Sequence, residues 1–368
     1  MTKNANLHSA KREKNDEFYT QLTDIEKEVI HYKEHFKDKI VLCNCNDALH
    51  GNFVKYFTLN FEVFGLQKLI YTSYEENASV YVYDGKETES WKLSTNGDFR
   101  TQDMIELLEI SDIVVTNPPF SLFREYVAQL MEYNKKFLII GNMNAITYKE
   151  IFPLIKENKL WLGYKNINTD MVFKVPQDSE EKSVRFWVDE NGEKWRSLGN
   201  GCWFTNLDHE KRHETLELTK LYTNEKYPKY DNYDAINVNK INDIPIDYDG
   251  AMGVPITFLG RYCPEQFKII KFRKGNDEKD LSINGKYPYF RILIKKKINK
   301  MIKTFELNDK EFERACQYEK DHEHKDKNLG AIGGNLSVTF TITSIGTLKT
   351  IKCGVCDHVQ NITDYDSL

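Results

Sequence analysis

Four short runs in the first half of the chain are apolar at almost every position, and this feature most constrains the fold. The runs are Ile40–Cys43, Leu69–Tyr71, Ile113–Thr116 and Phe137–Ile140. A strand that is apolar on both faces must be covered on both faces, as strands of parallel sheets are. Between the runs, apolar residues recur at helical spacing, with Gly65 placed to end one predicted helix. The alternation predicts an α/β domain in which helices cover both faces of a parallel sheet.

The pattern changes after about residue 160. Tryptophan and tyrosine become frequent, helical spacing fades, and the segments Met171–Phe173, Arg185–Val188 and Cys202–Phe204 have the composition of strands. Residues 245–297 also favour strands and turns. The second half is therefore predicted to be β-rich and different in kind from the first.

Composition excludes several classes of protein. The chain has 368 residues, of which 40% are apolar and 29% charged, as in globular proteins. No apolar run approaches the roughly 18–20 residues of a membrane helix, and the start of the chain lacks the apolar core of a secretion signal. Seven cysteines without such a signal predict a reduced cytoplasmic protein with no disulfide framework.

Positive charge is concentrated late in the chain, although the formal net charge is −5. The segment 268–303 contains twelve lysines and arginines and three acidic residues. Such a segment suits a surface that faces phosphates, and it is equally compatible with a solvated lysine-rich face. The strongest candidates for phosphate contact are Lys295, Lys296 and Lys297, with Arg291 as a contact to phosphate or base.

Asn117-Pro118-Pro119-Phe120 directly follows a predicted buried strand and precedes a predicted helix. The prolines fix the backbone and remove two N–H donors, so the Pro118 carbonyl is held as an acceptor. The Asn117 side chain offers a second acceptor. Two fixed acceptors suit an –NH₂ group, and they would favour the pyramidal nitrogen that attacks a methyl donor. Phe120 would stack on the base that carries this amine. The alternative, that the four residues form only a turn after a strand, is disfavoured because a predicted buried strand precedes them and a predicted helix follows.

Three further segments are candidates for binding a cofactor at the strand ends. The loop Asp16–Thr20 combines acids with aromatics, the first-strand turn carries Asn44 and Asp47, and Gly97-Asp98-Phe99 precedes the third strand. Asn44 and Asp47 could accept from an amine, Asp98 from an adenine amine, and Phe99 could pack on that ring. The cysteines of the first-strand turn favour packing over metal binding.

One other cysteine pair lies near the end of the chain. Cys353-x-x-Cys356 with His358 supplies only part of a zinc site, which needs four ligands. His322 and His324 could in principle complete it, but incidental cysteines are the favoured interpretation. We therefore expect no metal.

The order of these motifs resembles adenine-specific DNA methyltransferases, most closely the EcoRI-type family. The segments Cys202–Leu207 and Tyr230–Phe267 strengthen the resemblance, which covers roughly residues 11–297. It implies a class I (Rossmann-like) sheet that binds S-adenosylmethionine (AdoMet) within residues 1–207. It also implies a β-rich target-recognition region at 208–297, followed by an extension at 298–368 of unassigned role.

The resemblance also implies the site residues and partners. The catalytic motif is Asn117, Pro118, Pro119 and Phe120. The AdoMet site would be formed by Phe18, Tyr19, Thr20, Asn44, Asp47, Asp98 and Phe99. The substrate would be an adenine in double-stranded DNA, methylated at N6 by a monomer that shares its site with a restriction endonuclease without forming a stable complex.

Two departures from the family pattern and two alternatives remain. The first-strand turn has no glycine-rich sequence, and no acid directly ends the second strand. Glu75, a few residues further on, is the candidate to bind the ribose hydroxyls of the cofactor. Methyltransferases of RNA or of protein glutamine also use an Asn-Pro-Pro-aromatic motif on this fold. A non-catalytic DNA-binding protein is the other alternative, which the intact motif argues against.

Overall fold

The computed structural model describes residues 19–45, 51–75, 77–165, 170–175, 177, 185–297, 306–322, 336–343 and 346–367. Two compact units are formed, residues 1–298 and residues 299–368. Among the described residues, no helix combines the length and the apolar character needed to cross a membrane.

The helices of the described residues are mostly short, as expected for elements that fill the spaces between strands. They are α1 (Leu22–Val29), α2 (Lys33–Phe36), α3 (Asn52–Leu59), α4 (Phe61–Phe64), α5 (Gln102–Ile110), α6 (Phe123–Glu132), α7 (Phe152–Lys156) and α8 (Asp309–Asp321).

The strands of the first unit build three sheets. They are β1 (Tyr19–Thr20), β2 (Ile40–Cys43), β3 (Lys68–Thr72), β4 (Ser79–Tyr83), β5 (Thr88–Lys92), β6 (Ile113–Thr116), β7 (Lys136–Asn142), β8 (Trp161–Leu162), β9 (Met171–Lys174), β10 (Phe186–Val188), β11 (Lys194–Leu198), β12 (Gly201–Thr205), β13 (Ala235–Asn237), β14 (Ala251–Pro255), β15 (Phe267–Phe272) and β16 (Arg291–Lys296).

The largest sheet has eight strands in the order β5-β4-β3-β2-β6-β7-β12-β8. Its four central strands, β3-β2-β6-β7, are parallel, and they are the four apolar runs of the sequence. The strands at both flanks are antiparallel to their neighbours, so the sheet is mixed. The prediction of a wholly parallel sheet was therefore wrong at its flanks. The difference has a physical origin at one flank: the edge strand β5 is exposed along its whole length, so no apolar run marks it.

Two apolar clusters cover the two faces of this sheet. Along each central strand, alternate residues enter opposite clusters: Val41 faces one and Leu42 the other. Helices α1 to α4 supply one cluster, and helices α5 to α7 supply the other. The predicted burial of both faces is therefore confirmed, and the fold is a mixed α/β architecture around a large mixed sheet.

The chain order of the central strands defines a crevice at their carboxyl ends. From β2 the chain continues to β3 on one side, and it later returns to β6 on the other side. The carboxyl ends of β2 and β6 therefore flank the point where the strand order reverses, which is where ligands bind in open α/β sheets.

The β-rich second half of the first unit forms two four-stranded sheets. The first has the order β1-β9-β11-β10, and its Thr20 pairs with Phe173. The second has the order β13-β14-β16-β15, and its inner face shares a core cluster with α5 to α7. This core contains residues on both sides of position 207. The predicted boundary between the catalytic domain and the target-recognition region therefore divides functions and does not separate two hydrophobic cores.

The second unit contains α8 and the sheet of β17 (Leu336–Thr343), β18 (Gly346–Cys353) and β19 (Val359–Asn361). Asn308 and Glu311 close a reciprocal capping box at the start of α8. Cys353 is buried in the small core of this unit, whereas Cys356 is exposed. Over the described residues, no three His, Cys, Asp or Glu side chains are grouped as a metal site would require.

Candidate active site

Asn117 lies immediately after β6, at the crevice between the ends of β2 and β6. Its side chain is buried, and its amide Nδ2 donates to the hydroxyl of Thr20 at 3.3 Å. This hydrogen bond uses the NH₂ group of the Asn117 amide, whereas the predicted mechanism uses the amide oxygen as an acceptor. The structure thus brings together the end of the first predicted motif and the start of the Asn-Pro-Pro-Phe motif, which lie far apart in sequence.

The prolines set the direction of the chain as it leaves β6. The carbonyl of Pro119 accepts from the backbone N–H of Leu122 at 3.0 Å, which closes a short 3-10 helix, Phe120–Leu122, just before α6. Phe120 is half-buried and packs against the cluster that α1 to α4 form. One side of the Phe120 ring therefore packs against the hydrophobic core.

Asn44, at the end of β2, is a buried junction between three elements. Its side-chain oxygen accepts from the hydroxyl of Tyr126 on α6 at 2.5 Å, and its backbone oxygen accepts from the hydroxyl of Thr116. The second bond ties the end of β2 to the end of β6 across the crevice. Because one acceptor position of the Asn44 amide is occupied by Tyr126, Asn44 fits a role in shaping the turn better than the predicted role as an open amine acceptor.

Cys45 shows how the turn after β2 manages without glycine. Its φ angle is +61°, in the left-handed region that glycine usually occupies. Burial, reinforced by the charge of Asp98, raises the pKa of its thiol to about 12. The thiol is therefore neutral at physiological pH and packs as a small apolar group.

The loop that carries Asp98 is pressed against the end of β3. Gly97 has a φ angle of +75°, and a Cβ atom there would lie 2.2 Å from the backbone oxygen of Ser73. Arg100 grips both carboxylate oxygens of Asp98, with Nε at 2.8 Å from Oδ1 and Nη2 at 2.6 Å from Oδ2. The backbone N–H of Arg100 also donates to Oδ1 at 3.0 Å, so the Asp98 carboxylate is held in place by charge-assisted hydrogen bonds.

The remaining predicted cofactor residues fall into three groups. Phe99 is buried against Tyr126, with ring centroids 5.0 Å apart, so its side chain belongs to the core. Glu75 is exposed and accepts from the hydroxyl of Ser73 at 2.9 Å. Phe18 and Asp47 lie outside the described residues, and Tyr19 is described by its backbone alone, which pairs with Lys174.

The four predicted DNA contacts differ in how they are placed on β16 and just after it. The Arg291 guanidinium donates to Asn237 at 3.0 Å and to the backbone oxygen of Tyr289 at 2.6 Å. Lys296 donates to a backbone oxygen and pairs with Asp249 at 3.4 Å, and its side chain is only 13% exposed. Lys295 and Lys297, in contrast, are exposed.

Lys268 on β15 lies directly opposite Lys295 on β16, and both are exposed. Within the described residues, neither side chain makes an ion pair or a hydrogen bond. Like charges that face each other across two strands are destabilising. A bound polyanion would relieve this repulsion, so the pair marks a surface suited to phosphates.

Sequence reasoning missed two residues of the site, Tyr126 and Thr116, because neither lies in a predicted motif. A tyrosine on the buried face of a helix is a usable signal, since a buried hydroxyl needs a hydrogen-bond partner. No sequence signal identifies which partner it finds.

The comparisons with known proteins cover most of the chain. Residues 6–297 match the family described as adenine-specific methyltransferase EcoRI. No solved structure matches.

Three curated relatives were found. The chain is 54% identical to the type II methyltransferase M.EcoRI of Escherichia coli, over 81% of this chain and 99% of that protein. It is 40% identical to M.MgeORF184P of Mycoplasma genitalium, over 79% of this chain and 98% of that protein. It is 39% identical to M.MpnI of Mycoplasma pneumoniae, over 80% and 98% respectively.

The matched region coincides with the first structural unit, residues 1–298, and it includes every predicted site residue. The second unit lies beyond the family match. Motif order, fold and similarity agree, and the chain belongs to the family of EcoRI adenine-specific methyltransferases.

Proposed function

We propose that this protein is a site-specific DNA methyltransferase that transfers a methyl group from AdoMet to the N6 amine of an adenine flipped out of double-stranded DNA. It would act as a monomer in the cytoplasm, as the modification enzyme of a type II restriction–modification system. A cognate endonuclease would share its site without being a stable subunit. The observation that carries the proposal is the position of Asn117, buried at the crevice between β2 and β6 and tied to Thr20.

The four parallel central strands, covered by helices on both faces, support the proposal of a class I, Rossmann-like cofactor sheet. The turn after β2 and the start of the catalytic motif follow two of these strands, and the loop of Gly97 and Asp98 lies against Ser73 at the end of a third. In the proposed site the Asp98 carboxylate, which Arg100 holds, recognises the adenine amine of the cofactor, and the Asn44–Tyr126 bond fixes the turn after β2. These donors and acceptors fit AdoMet, which when bound supplies an electrophilic methyl group on a sulfonium.

The residues of the motif would act on the amine of the target. The Asn117 oxygen and the Pro118 carbonyl accept hydrogen bonds from the two N–H groups of adenine N6. These bonds strengthen as the nitrogen gains positive charge, so they favour the transition state over the ground state. Phe120, supported from behind by the core, stacks on the flipped base.

The second half of the first unit is proposed as the part that holds the duplex. An adenine inside a duplex is out of reach of Asn117 until it leaves the stack. Phosphate contacts must therefore position the DNA while other groups read the bases. The exposed Lys295 and Lys297, with Lys268 facing Lys295, supply the phosphate contacts, whereas Arg291 and Lys296 brace the sheet through their internal partners.

The direct test is expression in a host that lacks DNA methylation, followed by sequencing that detects modified adenines. We expect N6-methyladenine at one short sequence, and none in cells that express Asn117→Ala at the same level. Folded protein that binds AdoMet but leaves the DNA unmodified, while cellular RNA or protein glutamine gains methyl groups, would replace this proposal with the RNA or protein alternative.

A further inference from the structure

Residues 284–290 form an exposed aromatic element, here called the tyrosine tip. Tyr287 and Tyr289 stand on either side of Pro288 and are 62% and 77% exposed. Tyrosine has a large apolar ring, which folded proteins usually bury at least in part. Two such rings on one short loop therefore indicate a surface that meets another molecule.

The first end of the tip is locked by a tight turn. Ile283 and Lys286 exchange two backbone hydrogen bonds, at 2.8 and 3.0 Å, around Asn284 and Gly285. Both central residues have positive φ, +49° and +71°, as a two-residue hairpin turn of the I′ type requires. The carboxylate of Asp231 accepts from both of their N–H groups, at 3.0 and 2.9 Å.

The second end of the tip is locked by two arginines. Arg291 donates to the backbone oxygen of Tyr289 at 2.6 Å. The guanidinium of Arg273 lies 4.9 Å from the ring centroid of Phe290 and is itself held by both oxygens of Asp280, at 3.0 and 2.6 Å. An exposed loop without a binding role needs no such bracing, whereas an element that must enter another structure gains from being rigid beforehand.

A chain of aromatic rings connects the tip to the catalytic sheet. The ring of Tyr289 lies 4.2 Å from that of Phe290, Phe290 lies 6.1 Å from Phe272, and Phe272 lies 5.2 Å from Phe152. Phe152 begins α7, the helix that follows β7, and β7 is the direct neighbour of the strand that leads to Asn117. The tip is therefore braced against the part of the molecule that carries the catalytic motif.

We infer that the tyrosine tip enters the base stack of duplex DNA next to the target adenine, and that the ring of Tyr289 replaces the stacking lost when that adenine moves to Asn117. This inference rests on the proposed function. Extruding a base costs unpairing and unstacking, and aromatic or apolar side chains inserted between bases offset such a cost. The exposed Lys286 within the tip and Lys295 on the adjoining strand offer charge complementary to the DNA backbone.

The inference is tested with Tyr289→Ala by single-turnover methylation with enzyme and AdoMet in excess. Two duplexes carry the site that methylation sequencing identifies. In one the target adenine is paired normally, and in the other it faces an abasic position, so that extrusion is already easy. On the paired duplex we expect a loss of about tenfold, near the low end of base–aromatic stacking. On the abasic duplex the loss should fall to about twofold or less, because little extrusion remains to be assisted.

Two control variants accompany this test. Tyr289→Phe keeps the flat ring and should behave as the wild type on both duplexes. Tyr365→Ala removes a tyrosine of similar exposure, 61%, from the second unit and should change neither rate. If Tyr289→Ala does not fold, Tyr289→Leu, which keeps an apolar contact with Phe290, repeats the comparison.

The outcomes separate the two proposals. Equal losses on both duplexes, or no loss on the paired duplex, would overturn the role of Tyr289 while methylation by the wild type still supports the proposed function. A wild type that leaves all adenines unmodified in the sequencing experiment would contradict the proposed function itself.

Discussion

The crevice at the ends of β2 and β6 and the sheet of β13 to β16 use polar side chains in opposite ways. At the crevice, polar groups are committed to one another: Asn44 to Tyr126, and Asp98 to Arg100. On the sheet of β13 to β16, Lys268 and Lys295 face each other in solvent with no internal partner among the described residues. The polar geometry of the crevice is therefore fixed by internal hydrogen bonds, whereas the sheet keeps exposed positive charge that has no internal partner among the described residues, as the proposed phosphate contacts require.

The difference predicts how each region responds to substitution. Removing one partner of a buried hydrogen bond costs much free energy, because the remaining polar group stays desolvated without a partner. Contacts between exposed cations and phosphates add up over many positions, and each contributes modestly. Single changes at the crevice should therefore be severe and specific, and single changes on the sheet should be mild and general.

The largest expected effect is that of Asn117→Ala. Loss of one acceptor aimed at the reacting amine should lower the rate of methyl transfer by about 10²–10³-fold, while AdoMet binding survives. The measurements are single-turnover methylation and equilibrium AdoMet titration. Asn142→Ala, at the end of the neighbouring strand β7, is the matched control and should stay within a few-fold of the wild type. Near-normal activity of the Asn117 variant would contradict the proposed mechanism.

A smaller effect is expected for Tyr126→Phe, which removes a donor from the buried oxygen of Asn44. A buried acceptor that loses its partner costs about 1–3 kcal/mol, so AdoMet should bind about tenfold more weakly. Tyr227→Phe is the control in the other region, because it removes an equally buried hydroxyl that donates to the backbone of Asp243 at 2.8 Å. If both variants weaken AdoMet binding equally, the crevice is not where the cofactor binds.

The smallest effect per residue is expected for Lys268→Ala combined with Lys295→Ala. DNA binding should weaken on all sequences alike, and the slope of log affinity against log salt should fall by about 2. Without DNA, the variant should be slightly more stable, because the facing charges are gone. Lys33→Ala with Lys37→Ala, two exposed lysines near the start of the chain, is the control. An unchanged salt slope would place the phosphate contacts elsewhere.

The central sheet could be predicted from sequence because its signal is strong and local. Each of β2, β3, β6 and β7 is a nearly continuous apolar run, and only burial on both faces explains such runs. The β4–β5 hairpin could not be assigned to the same sheet, because β5 is exposed along its whole length and carries no apolar run. Pairing between distant segments, such as β12 with β7, depends on the whole core and not on the local pattern.

The candidate site shows the same limit. The position of Asn117 after a buried strand was readable, since the strand and the motif are adjacent in the chain. Its contact with Thr20, and that of Asn44 with Tyr126, join segments far apart in sequence. Likewise, the basic segment predicted the positive charge of the sheet of β13 to β16 but not which of its cations have internal partners: Lys296 pairs with Asp249, whereas its neighbour Lys295 is exposed.

The close approach of Gly97 to Ser73 has a consequence for the genetics of such a gene. Any side chain at position 97 would meet the Ser73 carbonyl at 2.2 Å in a backbone conformation that already favours glycine. In a library of random variants selected by survival against a nuclease that cuts unmethylated sites, position 97 should return glycine alone. Position 192, where a Cβ meets nothing within 4 Å, should return asparagine as well. Two glycines of similar φ would thus differ in the substitutions found among the survivors: none at position 97, and asparagine at position 192.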